Sequence, residues 1–173
     1  ITTRMSRRLA ENGIVPGDTV GVMIPRSEWM SLIPVAAMKA QAAYAPLDPT
    51  FPQERLSFMI EDAGINTIIT VDGLADKVLP DFKGRILDAR LLNTAPDGDQ
   101  PTATPENWEA APDAPFVVLY TSGSTGKPKG VTLTRGNLLN YSHDYVEIAK
   151  YGEADRIPAY ANFGFDAHMM DLY

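Results

Sequence analysis

The sequence predicts an α/β fold in which a mainly parallel sheet is flanked by helices. Three observations carry that expectation. Short, nearly continuous apolar runs alternate with segments of helical periodicity, the pattern of strands buried on both faces. Gly, Pro and Asn mark the changes between them. The last apolar run, Phe116–Tyr120, opens directly into a stretch of small hydroxyl residues, glycines and lysines. That order puts the stretch at the carboxyl edge of the sheet, where α/β folds bind ligands.

Taken in order, the first twelve residues read as a helix, with Ile1, Met5 and Leu9 on one face and Arg4, Arg7 and Arg8 mostly around the other. Asn12-Gly13 ends it, and Pro16-Gly17-Asp18 is a turn. Thr19–Ile24 is a buried strand. Ser27 then caps a helix reaching about Ala40, with Glu28 in its first turn and Pro34 kinking it. Ala45-Pro46-Leu47-Asp48-Pro49 is expected to be irregular because of its two prolines. Pro52 opens the next helix at a position where its missing N–H costs nothing. Leu56, Met59, Ile60 and Ala63 form the apolar stripe, and Gly64 stops it. Thr67–Val71 is a strand, Leu74–Leu79 a short helix and Arg85–Leu87 a strand. Residues 93–115 hold five prolines, five acidic residues and no Lys or Arg, so they read as a surface connector. After the small-residue loop a helix runs from about Arg135 to Lys150, and Asp166–Tyr173 is helical again.

Composition narrows the functional classes. Of 173 residues, 45% are hydrophobic and 21% charged, which fits one globular domain with a core rather than disorder. No run approaches the roughly 20 apolar residues of a membrane helix, and residues 1–8 lack the apolar run of a signal peptide. The absence of cysteine excludes disulfides, thiolate zinc sites and thiol catalysis. Fifteen Lys and Arg against 22 Asp and Glu give a net charge of −7, which argues against broad nucleic-acid binding. Most of that acidic excess lies in the connector, so it says little about a site. A soluble, cytoplasmic protein is the default expectation, with no membrane partner. Position 1 is not Met, and both ends fall inside helical patterns, so a longer parent is expected.

The chemistry concentrates in Thr121-Ser122-Gly123-Ser124-Thr125-Gly126-Lys127-Pro128-Lys129-Gly130. Four hydroxyl side chains, three glycines and two lysines in ten residues supply what a polyphosphate needs: N–H and O–H donors on a sharply bending backbone, with positive charge beside them. A Walker A loop does not fit, because it requires G-x-x-x-x-G-K-[ST]. Thr121 occupies the place of its first Gly, and Pro128 follows Lys127 where a hydroxyl would meet Mg²⁺.

Tyr120 to Val131 resembles the phosphate-loop signature of the adenylate-forming superfamily, without a gap. Met38 to Pro49, together with Pro52-Gln53-Glu54-Arg55-Leu56, is similar to the "LKAGGAYVPLDP…PxERL" block of amino-acid adenylation domains of nonribosomal peptide synthetases. Val15 to Val20 resembles the segment after their first helix, and Phe163-Gly164-Phe165-Asp166-Ala167 their "FDxS" block. The resemblance implies that residues 1–173 are an N-terminal portion of an AMP-binding adenylation domain, a partial N-terminal subdomain of the adenylate-forming fold. It implies ATP with Mg²⁺ as cosubstrate and an amino acid activated as its adenylate with release of pyrophosphate. The aminoacyl group would then pass to the phosphopantetheine thiol of a peptidyl carrier domain. Thr121, Ser122, Gly123, Ser124, Thr125, Gly126 and Lys127 would hold the β- and γ-phosphates.

By the same resemblance, Asp166 pairs with the substrate ammonium group, and Ala167 and Met170 are the first specificity positions. On a helix, Asp166 and Met170 would share a face. A small Ala167 and an adaptable Met170 suit an apolar or aromatic amino acid. Several residues depart from the pattern: His168 stands in place of Ser, Met170 in place of Trp, Gln41-Ala42 in place of a Gly pair, and Arg135 in place of a His after the phosphate loop. Arg135 is expected either near the phosphates or exposed at a helix start, and His168 either as a ligand contact or as a structural group. The later family blocks and their catalytic lysine are absent from these residues, so no catalytic residue is assigned and the 173 residues alone are expected to be inactive. Two other readings stay open: a stand-alone ligase such as a D-alanine–carrier-protein ligase or an acyl-CoA synthetase, and a non-catalytic nucleotide-binding or structural piece.

Overall fold

The computed structural model describes residues 1–94, 111–122, 127–152 and 154–172, with only the backbone at Met170 and Leu172. Among the described residues six strands form one sheet: β1 (Thr19–Met23), β2 (Ala43–Pro46), β3 (Thr67–Thr70), β4 (Arg85–Asp88), β5 (Pro115–Ser122) and β6 (Pro128–Thr134), in the order β4-β3-β1-β2-β5-β6. Every pairing is parallel except β5 with β6, which form an antiparallel hairpin. The mainly parallel α/β expectation therefore holds, but β6 was not among the expected strands. Its sequence, Pro-Lys-Gly-Val-Thr-Leu-Thr, alternates in exposure instead of being uniformly apolar, as befits an edge strand.

Alternating side chains send the sheet's apolar groups to two faces. Val20, Val22, Tyr44 and Ile69 join one core cluster, packed by α1 (Thr2–Glu11), α2 (Trp29–Lys39) and α5 (Ala89–Leu92). Met23, Ala45, Leu47 and Ile68 join the other, packed by α3 (Gln53–Asp62) and α4 (Leu74–Val78). In α1, Met5 and Leu9 are fully buried, but Ile1 is the exposed cap. The helix α2 runs unbroken through Pro34. Ser27 does not cap it, because its hydroxyl donates back to the Pro25 carbonyl (3.1 Å).

The irregularity expected at Ala45-Pro46 is corrected by β2. The N–H groups of Ala43 and Leu47 donate toward β1, to Asp18 O (2.8 Å) and Val22 O (2.9 Å). Pro46, of opposite parity, therefore turns its hydrogen-free nitrogen toward β5, where pairing is limited to Tyr44 with Val117. Of the expected connector 93–115, residues 95–110 lie outside the described residues, and Pro115 already belongs to β5.

Beyond the hairpin, α6 (Arg135–Ala149) opens with a reciprocal cap between Thr134 and Asn137. The terminal α7 covers only His168–Leu172, so Asp166 and Ala167 sit in the turn before it rather than within a helix. Among the described residues no helix is long and apolar enough to cross a membrane.

Candidate functional site

The parallel strands point their carboxyl ends the same way, so Arg26 after β1, Asp48 after β2 and Thr121-Ser122 at the end of β5 gather on one edge. Here a cavity of about 540 Å³ is lined by Arg55, Tyr120, Thr121, Ser122, Gly164, Phe165 and Asp166, with Leu119, Val131 and Leu133. The structure thus brings together the start of the phosphate loop and the "FDxS" carboxylate. Both ends of the loop are exposed, at Thr121, Ser122 and Lys127; Gly123, Ser124, Thr125 and Gly126 lie outside the described residues.

The hairpin is fixed to the sheet's far helix layer by Tyr120. Its hydroxyl donates to Asp62 Oδ2 (2.8 Å) and approaches the Met59 carbonyl (3.2 Å). Burial, with Asp62 beside it, pushes the phenol well above its ordinary range, so Tyr120 stays neutral and serves as an anchor. Directly across the hairpin is Gly130. A Cβ there would sit 3.2 Å from the Tyr120 ring and 3.3 Å from Asp62 Oδ2. The last glycine of the loop motif therefore makes room for this anchor instead of bending the backbone.

Asp166 lines the cavity and is exposed. Its backbone carbonyl accepts from Met169 N (2.9 Å), which starts α7. Ala167 is also exposed. Met170 lies on α7, whereas Asp166 precedes it, so the shared helical face expected for the pair does not form.

His168 is structural. It is fully buried, with its ring edge-on to Tyr44 and Phe163. Its Nδ1 faces the Phe165 carbonyl, a pure acceptor, so Nδ1 carries the proton. Its Nε2 then accepts from the Tyr44 hydroxyl (2.7 Å). Burial pushes its pKa below 6.5, against the opposing pull of the Phe165 hydrogen bond and of Asp166 and Asp171. Arg135 fulfils neither expectation. It is buried and donates to the Met38 carbonyl (2.7 Å) at the carboxyl end of α2. Thr134 beside it pairs near Pro115, the opposite end of the hairpin from Lys127, roughly 20 Å along the strand.

The sequence reading missed the residues that hold the turn carrying Asp166. Arg26 donates to three successive carbonyls, of Ala159, Tyr160 (2.9 Å) and Ala161 (3.0 Å). From the other side Asp171 Oδ2 accepts the N–H groups of Tyr160 and Ala161 (2.7 Å each). Asp48 accepts from Asn162 (2.9 Å) and from Thr50. Burial would raise the pKa of Asp48, but these hydrogen bonds and the charge of Arg55 outweigh it and hold the carboxyl low. The available signal was position: each polar group follows or faces the end of a parallel strand. Among the described residues no cluster of His, Asp and Glu could cage a metal. A Mg²⁺ held mainly by phosphate oxygens needs no such cage.

Comparison with known proteins adds a second line. The family model described as AMP-binding enzyme matches residues 2–173. The dimodular nonribosomal peptide synthase of Bacillus subtilis is 37% identical over 98% of this chain and 7% of its own length. Gramicidin S synthase 2 of Brevibacillus brevis is 36% identical over 98% of the chain and 4% of its own. Thus the chain spans only a small part of these relatives. Among solved structures, the nonribosomal peptide synthetase FmoA3 in its α-methyl-L-serine-AMP bound form superposes with a TM-score of 0.84 at 28% identity, covering 99% of this chain and 18% of that one. A four-domain nonribosomal peptide synthetase bound to AMP and glycine gives 0.80 at 29%, covering 99% and 12%.

Proposed function

Since the chain belongs to the AMP-binding enzyme family, we propose that it forms part of an adenylation domain in a nonribosomal peptide synthetase. In this reading the full-length protein activates an amino acid: its carboxylate attacks the α-phosphorus of ATP, giving the aminoacyl-adenylate and pyrophosphate. The aminoacyl group then moves to the phosphopantetheine thiol of a carrier domain. The reading includes Mg²⁺ accompanying ATP and a cytoplasmic location. The observation that carries it is one cavity walled by Thr121 and Ser122 on one side and Asp166 on another.

The roles follow from chemistry. Substitution at phosphorus is mainly positioning and charge stabilisation. Thr121 to Lys127 supplies hydroxyls, backbone N–H groups and a cation for the β- and γ-phosphates. Asp166 supplies the countercharge for the substrate ammonium group, and Ala167 and Met170 shape the side-chain end of its pocket. Arg26 and Asp171 hold the preceding backbone from both sides and so set where Asp166 stands.

The test is ATP–pyrophosphate exchange by the full-length protein across amino acids and fatty acids. Exchange dependent on one or a few amino acids is expected. Exchange with fatty acids only would assign an acyl-CoA synthetase-like ligase instead, and ATP binding without exchange would leave a nucleotide-binding module.

A further inference from the structure

Arg55 stands in the first turn of α3 on the wall of the same cavity, facing the strand end that leads into the phosphate loop. Its guanidinium lies 4.0 Å over the Phe51 ring, which holds the plane from one side and leaves its edges open. No hydrogen bond or ion pair engages it among the described residues, and its Nε is buried without a partner. The carboxylate whose pKa it lowers, Asp48, is already satisfied by Thr50 and Asn162. Arg8 and Arg135 also carry an Nε buried without a partner, but neither lines this cavity; Arg55 does, so its open donors face a space that a ligand can fill. Beside it, the exposed Thr121 and Ser122 make no side-chain hydrogen bond among the described residues.

We propose that Arg55 is an anion-binding residue of this site, gripping the pyrophosphate end of ATP together with the Thr121 and Ser122 hydroxyls. Guanidinium edges match paired phosphate oxygens, and hydroxyls add short donors. A substrate carboxylate would also suit an arginine. The polyphosphate is favoured because both neighbouring hydroxyls belong to the strand end that continues into the phosphate loop. The proposal rests on the adenylation reading for the identity of its anion.

The experiment uses the full-length protein, with exchange kinetics and calorimetric binding of inorganic pyrophosphate measured in parallel. Arg55→Gln is expected to raise the KM for ATP and the Kd for pyrophosphate about tenfold, leaving the amino-acid KM unchanged. Arg55→Lys is expected to recover part of the loss, since it keeps the charge and loses the fork. Unchanged pyrophosphate binding in Arg55→Gln overturns the proposal. So does a rise confined to the amino-acid KM, which would make the carboxylate the ligand, or a lowered melting point with unchanged constants, which would make Arg55 a packing residue. If the wild type shows no exchange, the adenylation reading fails by itself. Pyrophosphate binding lost in Arg55→Gln would still uphold the anion site, and its absence from the wild type would remove it.

Discussion

In the middle of the sheet, Val20, Val22, Met23, Tyr44, Ala45, Ile68 and Ile69 are fully buried. At the carboxyl edge, Thr121, Ser122, Lys127, Phe165 and Asp166 are exposed, and their neighbours are held by hydrogen bonds rather than packing. The contrast teaches where stability and recognition reside. The apolar middle fixes the direction in which every strand ends, and it tolerates no lost volume. The edge contributes little to folding, so its donors and charges are free to meet a ligand. Substitutions in the two regions should therefore separate cleanly, stability from binding.

The largest stability effect belongs to the middle. Ile33→Ala, at a fully buried position of α2, should cost about 2–5 kcal/mol through lost burial and the cavity left behind, as read by denaturant unfolding. At the edge, Lys127→Ala should lower kcat/KM for ATP by about 10²-fold while shifting the unfolding midpoint little, because the side chain is exposed. A large loss of stability there would break the division.

His168 joins the regions, since it is buried beneath the turn that carries Asp166. Its native pKa lies below its unfolded value of 6.5, so the unfolded chain binds the extra proton. The sign follows: its contribution is fully present above 6.5 and is lost as the pH falls through 6.5 toward the lower native pKa. The melting midpoint should drop across that window, and His168→Gln, which does not titrate, should show a smaller drop. The smallest effect concerns Gln41, held at φ +61° where the resembling block has Gly. Gln41→Gly should stabilise by about 1 kcal/mol by relieving left-handed strain, which chemical denaturation can detect.

The same contrast explains what was legible in the sequence. Buried strands announce themselves through apolar runs, and β1, β3, β4 and most of β5 were readable on that ground. β6 was hidden because half of it doubles as the polar phosphate-loop motif. Pro46 misled because its tolerance depends on which neighbour its nitrogen faces, a fact of register. The burial of Arg135 and His168 depends on the Met38 carbonyl and the Tyr44 hydroxyl, both distant in sequence. Local patterning carries no trace of such partners. The loop was legible from its own hydroxyls, glycines and lysines after an apolar strand, Asp166 only through resemblance, and Arg26 and Asp171 were missed because their partners are backbone atoms.

In the proposed function one cavity receives the phosphates at the end of β5 and the substrate ammonium group at Asp166. Exchange kinetics of the full-length protein with Lys127→Ala and Asp166→Asn test it most directly. A split is expected: Lys127→Ala raises the KM for ATP alone, and Asp166→Asn raises the amino-acid KM alone. Both variants moving the same constant, or Asp166→Asn leaving the amino-acid KM untouched, would contradict it.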